Sequence, residues 1–446
     1  MKILYLSQFY YPERAAGAFR AIDNSTIWSN QGHDVTLFTS YPNFPTGDIF
    51  KGYSNKLISE EKYKGIRVIR NKIIAMKNTN KINRAISSVS FLFYSLYNIF
   101  FNSNKIGKDY DVVLGTSGTI LSPIIAYVFS RKNKIPFILE LRDITYNQIL
   151  AVYDGKKTGL YYFVKLIELY LCKKSDKIVV VTHGFKKILL RDGIEETKIE
   201  VIENGALISD RERAIYKKNN KRVTFSYIGN IGGSQNLNRV IDFFNNIEIK
   251  NIDKKLLIIG DGGKKEKGKE YISKNKIKDI TVLDGMKYEE LDKYYEESDF
   301  CIVSLNNNDK FKETIPSKIF TIMSKSRPIL FLGPDGEASN IIKKANCGII
   351  YNSKDYKEIA RDISEKINLQ VNDNKLDQYI KEYGESGYSF VNKYYNREKL
   401  AKEYISIMKN TVYERESEIQ NLIGDLKWRR KYVNLCGMNL QMMQEY

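Results

Sequence analysis

Short, β-branched and almost continuously apolar runs return along this chain with helical stretches between them. That alternation narrows the fold more than any other feature of the sequence. The runs are Lys2–Ser7, Asp34–Thr39, Arg67–Arg70, Asp111–Gly115, Pro136–Leu141, Lys177–Val181 and Glu200–Glu203. A second series follows at Val223–Ile228, Lys255–Ile259, Ile280–Leu283, Phe300–Leu305, Ile329–Leu332 and Gly348–Tyr351. Near-continuous apolarity fits strands buried on both faces. The intervals are long enough for crossover helices, which predicts an α/β fold with doubly wound parallel sheets.

The series divides in two. After Glu203-Asn204-Gly205 the chain turns polar and basic as far as Arg222. Residues 206–222 therefore read as a linker between a Rossmann-like domain at 1–205 and another at 223–387. A chain of 446 residues, 43% of them hydrophobic, has material for two cores. Two such domains facing across a cleft would gather ligands at the C-terminal edges of their strands. From Tyr388 onward the pattern is helical only. Residues 388–410 read as one amphipathic helix packing back across both domains, and 411–446 as a helical tail containing Trp428-Arg429-Arg430-Lys431. A capping or oligomerisation helix and a membrane-contacting tail both fit that tail.

Charge narrows the partners. Lys and Arg outnumber Asp and Glu by 71 to 53, a net charge of +18, which favours nucleotide phosphates, acidic lipids or nucleic acid. The basic residues are spread along the chain and build no nucleic-acid module, so nucleic acid is set aside. Cys172, Cys301, Cys347 and Cys436 are far apart and form no CxxC pair, which points to a reducing cytoplasm without a zinc site or disulfide framework. The opening residues read as a first strand and not a signal peptide, and no apolar run is long enough to cross a bilayer.

The stretch Phe311–Leu332 carries the strongest functional signal. A buried strand, a polar loop and a helix opened by Pro316 and running to about Ser324 direct free backbone N–H groups and a helix dipole at one spot. Lys318 falls in the first turn of that helix, where a cation is disfavoured by roughly 0.3–1 kcal/mol. A bound phosphate would reverse that sign; a solvated lysine bent away from the dipole is the plain alternative.

Other motifs carry two readings each. Gly17, at a helix start after Gln8–Ala16, is a ligand loop or a structural turn; the absence of GxGxxG argues against a dinucleotide site. Glu140-Leu141-Arg142-Asp143 ends a buried strand, so its charges need partners or a ligand: a structural Arg–carboxylate pair, or a functional role for Asp143. Asn230 and Gln235, in the Gly-rich segment after Tyr227-Ile228, can donate to oxyanions. Gly260-Asp261-Gly262-Gly263 is a second, weaker Gly-rich strand end. Gly285 and Met286 end another strand, where free backbone suits a flat base. Asp109-Tyr110-Asp111 spells DxD but precedes its strand, at the wrong edge for a metal. His33 and His183 read as structural.

Between Lys81 and Lys105 lies a run dense in aromatics, including Phe91, Phe93, Tyr94, Tyr97 and Phe100, framed by Arg84 and Lys105. Too short to span a bilayer, it fits an interfacial helix or an ordinary buried one; the net charge favours an anionic membrane surface.

Taken in order, these residues resemble the retaining GT-B glycosyltransferases of family four, in particular bacterial O-antigen and capsule amino-sugar (fucosamine-type) transferases. The marks are Lys2–Pro12, Gly32-His33-Asp34-Val35-Thr36, Tyr41–Pro45, Leu141-Arg142-Asp143, Glu203-Asn204-Gly205, Gly229-Asn230-Ile231-Gly232 and Ile315-Pro316-Ser317-Lys318-Ile319-Phe320, over roughly residues 1–410. The resemblance implies a nucleotide-diphosphate sugar donor, UDP-linked as the first expectation, and a lipid-linked glycan acceptor. It also implies retention at the anomeric carbon, no cofactor or metal, and a peripheral place on the cytoplasmic face of the plasma membrane. It further implies that Lys318, Asp143 and Glu313 are catalytic, and that Gly17, Asn230, Gln235, Gly285, Met286, Ile315, Pro316, Ser317 and Thr321 hold the donor. Two departures stand out. The family's E-x7-E pattern has its first Glu at Glu313 and meets Thr321 in place of the second, ribose-gripping carboxylate. The usual Arg/Lys pair for the diphosphate is replaced by neutral side chains around Asn230 and Gln235, with Lys318 as the replacement cation. A UDP-sugar 2-epimerase of the same architecture and a non-catalytic membrane-associated scaffold are the alternatives.

Overall fold

A computed structural model of the chain describes residues 1–13, 16–44, 46–77, 81–117, 119–153, 155–208, 222–287, 290–353 and 355–436. Most of the expected linker, the side chain of Arg84 and the last ten residues lie outside that description.

The first sheet has eight strands: β1 (Lys2–Leu6), β2 (Asp34–Ser40), β3 (Ile58–Tyr63), β4 (Ile66–Asn71), β5 (Val112–Thr116), β6 (Phe137–Leu141), β7 (Lys177–Val180) and β8 (Ile199–Val201). Their spatial order is β3-β4-β2-β1-β5-β6-β7-β8. Helices α1 (Ala16–Asn30), α2 (Lys81–Phe101), α3 (Ser103–Ile106), α4 (Leu121–Asn133), α5 (Thr145–Val152), α6 (Gly159–Lys174) and α7 (His183–Arg191) lie between them in sequence. Expected strands and observed ones agree except at β3, an antiparallel edge strand paired to β4. Its sequence, ISEEKY, is half charged because an edge strand has one open side, and Glu60 and Glu61 pair there with Arg67 and Arg70.

The second sheet runs β11-β10-β9-β12-β13-β14 and is parallel throughout. Its strands are β9 (Arg222–Ile228), β10 (Asp253–Ile259), β11 (Ile280–Leu283), β12 (Phe300–Ser304), β13 (Ile329–Leu332) and β14 (Gly348–Tyr351). Helices α8 (Leu237–Asn245), α9 (Lys265–Lys274), α10 (Asp292–Glu297), α11 (Lys318–Ser324), α12 (Glu337–Ala345) and α13 (Tyr356–Asn372) cover it. Two apolar clusters form, one with Cys301, Val303, Phe320 and Phe331, the other with Phe225, Ile258, Phe300 and Ile302. Neighbours along β12 thus fall in different clusters, as a sheet buried on both faces requires.

Strand order reverses between β1 and β5 in the first sheet and between β9 and β12 in the second. The loops leaving those strands splay apart there, which opens a crevice at each reversal.

By its contacts the chain forms two compact units, residues 1–141, 167–179 and 402–446 in one and 142–166 and 180–401 in the other. The expected single helix at 388–410 is a correction: α14 (Leu376–Tyr394) stops and α15 (Arg397–Cys436) begins after a break at Tyr395-Asn396. Ala206 pairs with both sides of the break. Ala206 N–H donates to Tyr395 O at 3.0 Å and Arg397 N–H to Ala206 O at 2.9 Å, while the Asn396 side chain accepts Glu398 N–H at 2.9 Å. Nothing marks a boundary at residue 410, because α15 runs through it. Thr411 is buried, and Glu414 and Arg415 pair with Lys177 and Asp176, so the start of the tail caps the first unit.

Helix α2 is turned inside out. Ser87, Ser88, Ser90, Ser95 and Asn98 face inward and are buried, whereas Ile82, Ile86, Val89, Phe93, Tyr97 and Phe100 face solvent. Four of these five inward polar groups are hydrogen-bonded, Asn98 to Leu57 O and Asn71 Oδ1, Ser87 to Ile74 O, Ser90 to Ile74 N–H, and Ser88 to Gln8, while the Ser95 hydroxyl has no partner.

Candidate active site

At the reversal of the second sheet, the loop after β9 meets the start of α11. Gly229 has φ of +135°, and a Cβ there would lie 3.2 Å from both Cε and Nζ of Lys318. Gly260, ending β10, packs so closely that a Cβ would fall 1.9 Å from Gly229 O. Glycine is required at both positions, and the two Gly-rich strand ends are pressed backbone to backbone.

Lys318 enters this place from the side. Its amine is buried, sits 3.9 Å from the centroid of the Tyr227 ring, and has no hydrogen-bond partner. Burial pushes its pKa down from 10.5 to about 7. A ring face returns roughly 0.5–2 kcal/mol to a cation, whereas a shift of that size corresponds to roughly 5 kcal/mol against the charged form. The ring therefore does not satisfy this amine, and an anion would.

The other expected donor residues have mixed positions. Gln235 accepts Gly232 N–H at 3.0 Å through Oε1, so its NH2 end is the part left for a ligand. Asn230 is exposed at the loop tip, and its carbonyl accepts the Tyr227 hydroxyl at 2.6 Å. Gly285 lets a carboxylate approach: a Cβ there would be 2.4 Å from Asp261 Oδ2. Met286 packs against the apolar cluster of the sheet. Ile315 is a core residue at 6% exposure, which leaves only its backbone for a ligand. Helix α11 starts at Lys318 and not at Pro316; Ser317 is its N-cap without a side-chain bond, and Pro316 O accepts Ile319 N–H at 3.1 Å. Thr321 is half-buried on α11. The side chain of Glu313 lies against Gly184 in the first turn of α7, where a Cβ would be 2.4 Å from Glu313 Cγ.

Two charged groups here escaped the sequence reading. Lys265 bridges Asp261, at 3.0 Å, and Asp284 across the ends of β10 and β11. Burial alone would lower its pKa, but the two carboxylates hold it above the ordinary value. Arg239 donates to Ser353 O at 2.6 Å and Leu305 O at 3.4 Å, tying together the ends of β14 and β12, and burial lowers its pKa. The four-residue spacing of Asp261 and Lys265 was the one available signal.

At the reversal of the first sheet, Gly17 lies in the first turn of α1. Gln8, at the end of β1, accepts from Ser88 and Thr119 and so joins α2 to the loop after β5. Glu13, unnoticed in the sequence, is buried and clips two loops together. Its carboxylate accepts Asn43 and Phe44 N–H at 2.9 Å each and Tyr10 N–H at 3.3 Å. Desolvation outweighs those three bonds and raises its pKa to about 7.

Beyond β6 the charges separate into two roles. Glu140 is fully buried and pairs with Arg20 at 2.7 Å, and its carboxylate also accepts the hydroxyls of Tyr404 and Tyr5. The structural ion pair expected for this segment thus uses Arg20. Asp143 is reached by solvent, yet protein surrounds it on most sides and raises its pKa against the pull of Arg142 and Gln148.

On α2, Phe93, Tyr97 and Phe100 are exposed and Tyr94 is half-buried under Lys72. Phe91, at 1% exposure, is a correction: it belongs to the core and cannot touch a membrane. Asp109 and Asp111 are engaged by Lys2 at the strand's starting edge, away from any reversal crevice. Among the described residues no group of His, Cys, Asp or Glu could hold a metal, and no helix is long and apolar enough to cross a membrane.

Residues 25–207 match the model of the family described as Glycosyltransferase Family 4, and residues 208–387 that described as Glycosyl transferases group 1. A relative from Methanocaldococcus jannaschii, described as an uncharacterised glycosyltransferase, is 21% identical over 92% of this chain and 99% of its own. Among solved structures, sucrose-phosphate synthase from Thermosynechococcus elongatus superimposes with a TM-score of 0.68 at 13% identity, covering 92% of this chain and 98% of its own. Anabaena HepE, in complex with UDP and glucose, gives 0.63 at 12%, covering 92% of this chain and 100% of its own.

Proposed function

We propose that this chain, a glycosyltransferase of the GT-B fold with a family-four first half and a group-one second half, takes a sugar from a nucleotide-diphosphate donor, UDP-linked in the first instance. It passes the sugar, an N-acetylated amino sugar by the resemblance of its motifs, with retention to a lipid-linked glycan at the cytoplasmic face of a membrane. The observation that carries the donor reading is the buried, unpartnered Lys318 amine between Gly229 and Tyr227. The UDP seen in HepE supports the choice of base.

As the bond from the anomeric carbon to the diphosphate breaks, negative charge collects on the leaving oxygen. Lys318 would meet that charge with a proton, and the amide groups near Ser317 would add donors. The acceptor hydroxyl attacks the anomeric carbon from the face the diphosphate leaves, and its proton passes to a diphosphate oxygen. No protein nucleophile takes part. Glu313 would orient sugar hydroxyls, and Asp143 would hold the acceptor or the donor sugar.

The acceptor reading is supported by α2, whose outward stripe from Ile82 to Phe100 is apolar and carries no acid. Lys318→Ala is expected to lower turnover by about a hundredfold or more with the fold retained; unchanged turnover removes Lys318 from the chemistry. A thermal-shift comparison of UDP, GDP and their sugars tests the donor, because a ligand of the folded state raises its melting temperature. An epimer formed from a UDP-sugar without acceptor would favour epimerisation over transfer.

A further inference from the structure

Helix α6 shares with α2 an outward face of large apolar residues. Leu166 is 70% exposed, Phe163 61%, Tyr162 60%, Leu160 50% and Tyr170 47%. These residues occupy one side of a helix whose inward face carries Tyr161, Val164, Glu168, Leu171 and Cys172. Isolated exposed apolar residues need no explanation, but five on one helical face call for an occupant.

Charge selects that occupant. Glu168 is the only acid on α6 and is buried, so the outer face shows no carboxylate. Lys173 and Lys174 are exposed at its C-terminal end, with Lys174 near the Tyr170 ring, and Lys156 and Lys157 are exposed just before its start. Lys165, the remaining lysine, is spent on Asp192 at 2.5 Å. The face is apolar at its centre and cationic at both ends. A second copy of the chain would set lysines against lysines in a molecule already at +18. An anionic bilayer reverses that sign. At sixteen residues the helix is about 24 Å long, and with lysines at both ends it suits the plane of the interface and not a crossing.

Helix α6 is also linked to α2. Tyr127 of α4 meets Tyr170 hydroxyl to hydroxyl at 3.1 Å, and Lys132 of α4 sits 4.9 Å over the Phe100 ring of α2. Three neighbouring helices thus present aromatic rings with basic residues stacked on them.

We propose that the outward face of α6 is a second interfacial helix that docks the enzyme on anionic lipid together with α2. One helix lying in an interface leaves the protein free to roll about that helix's axis; two joined through α4 remove that freedom. The inference rests on the membrane reading of α2 made above, and its test separates the two.

The test is co-sedimentation of the full chain with phosphatidylcholine vesicles carrying increasing phosphatidylglycerol. The double variant Phe163→Ser/Leu166→Ser is expected to bind at least about tenfold more weakly. Lys173→Glu/Lys174→Glu is expected to blunt the dependence on phosphatidylglycerol. Both changes are at exposed positions, so the circular-dichroism melt and the UDP thermal shift should match the parent. Wild-type binding by Phe163→Ser/Leu166→Ser overturns the proposal. If Val89→Ser/Phe93→Ser loses binding in that case, α2 alone is the seat and the earlier reading survives. A lipid-free dimer, seen by sedimentation equilibrium and abolished by the α6 change, overturns it in favour of a second copy. Equal binding to neutral and anionic vesicles overturns the charge argument.

Discussion

At the scale of single residues, two buried ionisable groups stand at the two sheet reversals, and each is driven toward its neutral form. Lys318 titrates near 7 in the folded chain against 10.5 in the open one. Between those values the unfolded state holds a proton that the folded state lacks, so stability without ligand is expected to rise with pH from about 7 to about 10.5. Binding a diphosphate should restore the proton. Calorimetry of UDP binding at pH 8.5, in buffers of different ionisation enthalpy, is expected to report close to one proton taken up, and none in Lys318→Met. Glu13 has the opposite linkage: its raised pKa makes its contribution to stability fall as pH climbs from about 4.5 to 7. Glu13→Ala would strand three backbone N–H groups, at a cost of roughly 2–4 kcal/mol. Faster hydrogen exchange at Tyr10, Asn43 and Phe44 would be its signature. The sequence marked Lys318 because a cation at a helix start breaks a local rule. It did not mark Glu13, whose partners are backbone N–H groups, two of them about thirty residues away, and carry no side-chain signature.

At the scale of elements, periodicity located helices and strands well and faces less well. The stretch 81–101 is helical by pattern and by structure, yet a 3.6-residue period does not say which side is inside. In α2 the answer comes from the backbone and side-chain groups around Leu57, Asn71 and Ile74, which the serines and Asn98 meet as partners. Asn98→Leu is therefore expected to destabilise the protein by about 1–3 kcal/mol, while Phe93→Ser leaves the melting temperature within error or raises it. Reversed outcomes in paired thermal melts would mean that α2 packs the other way round. The break at Tyr395-Asn396 was illegible for a related reason. The segment holds no Gly or Pro, and what takes up the backbone groups at the break is Ala206, some 190 residues earlier in the chain. Strand β3 was missed because its solvent side is charged, so its pattern looks like a loop unless its partner β4 is known.

At the scale of the whole molecule, the two series of strands and the gap that separates them, between Val201 and Arg222, were legible. They follow from local apolarity and from general rules of α/β topology. The composition of each compact unit was not, because it depends on side chains that meet across hundreds of residues. The clearest case is Glu140 on β6, held by Arg20 on α1 and Tyr404 on α15, all three buried. Removing one partner leaves a buried carboxylate underpaired, so Arg20→Ala is expected to cost roughly 3–5 kcal/mol in urea unfolding. Tyr404→Phe removes two hydrogen bonds to charged groups, the one its hydroxyl donates to Glu140 and the one it accepts from Arg20, and should cost at least about 1.5–3 kcal/mol.

That same triad sets an order for synthesis. A ribosome delivers Arg20 and Glu140 early and Tyr404 only after the entire second sheet has emerged. Met408 and Thr411, also buried, arrive later still. Domains of nascent chains commonly close from the N-terminal side, one after another. Here the half that is made first must wait for the half made second, with a charged seam open in the meantime, and a chaperone would find its client there.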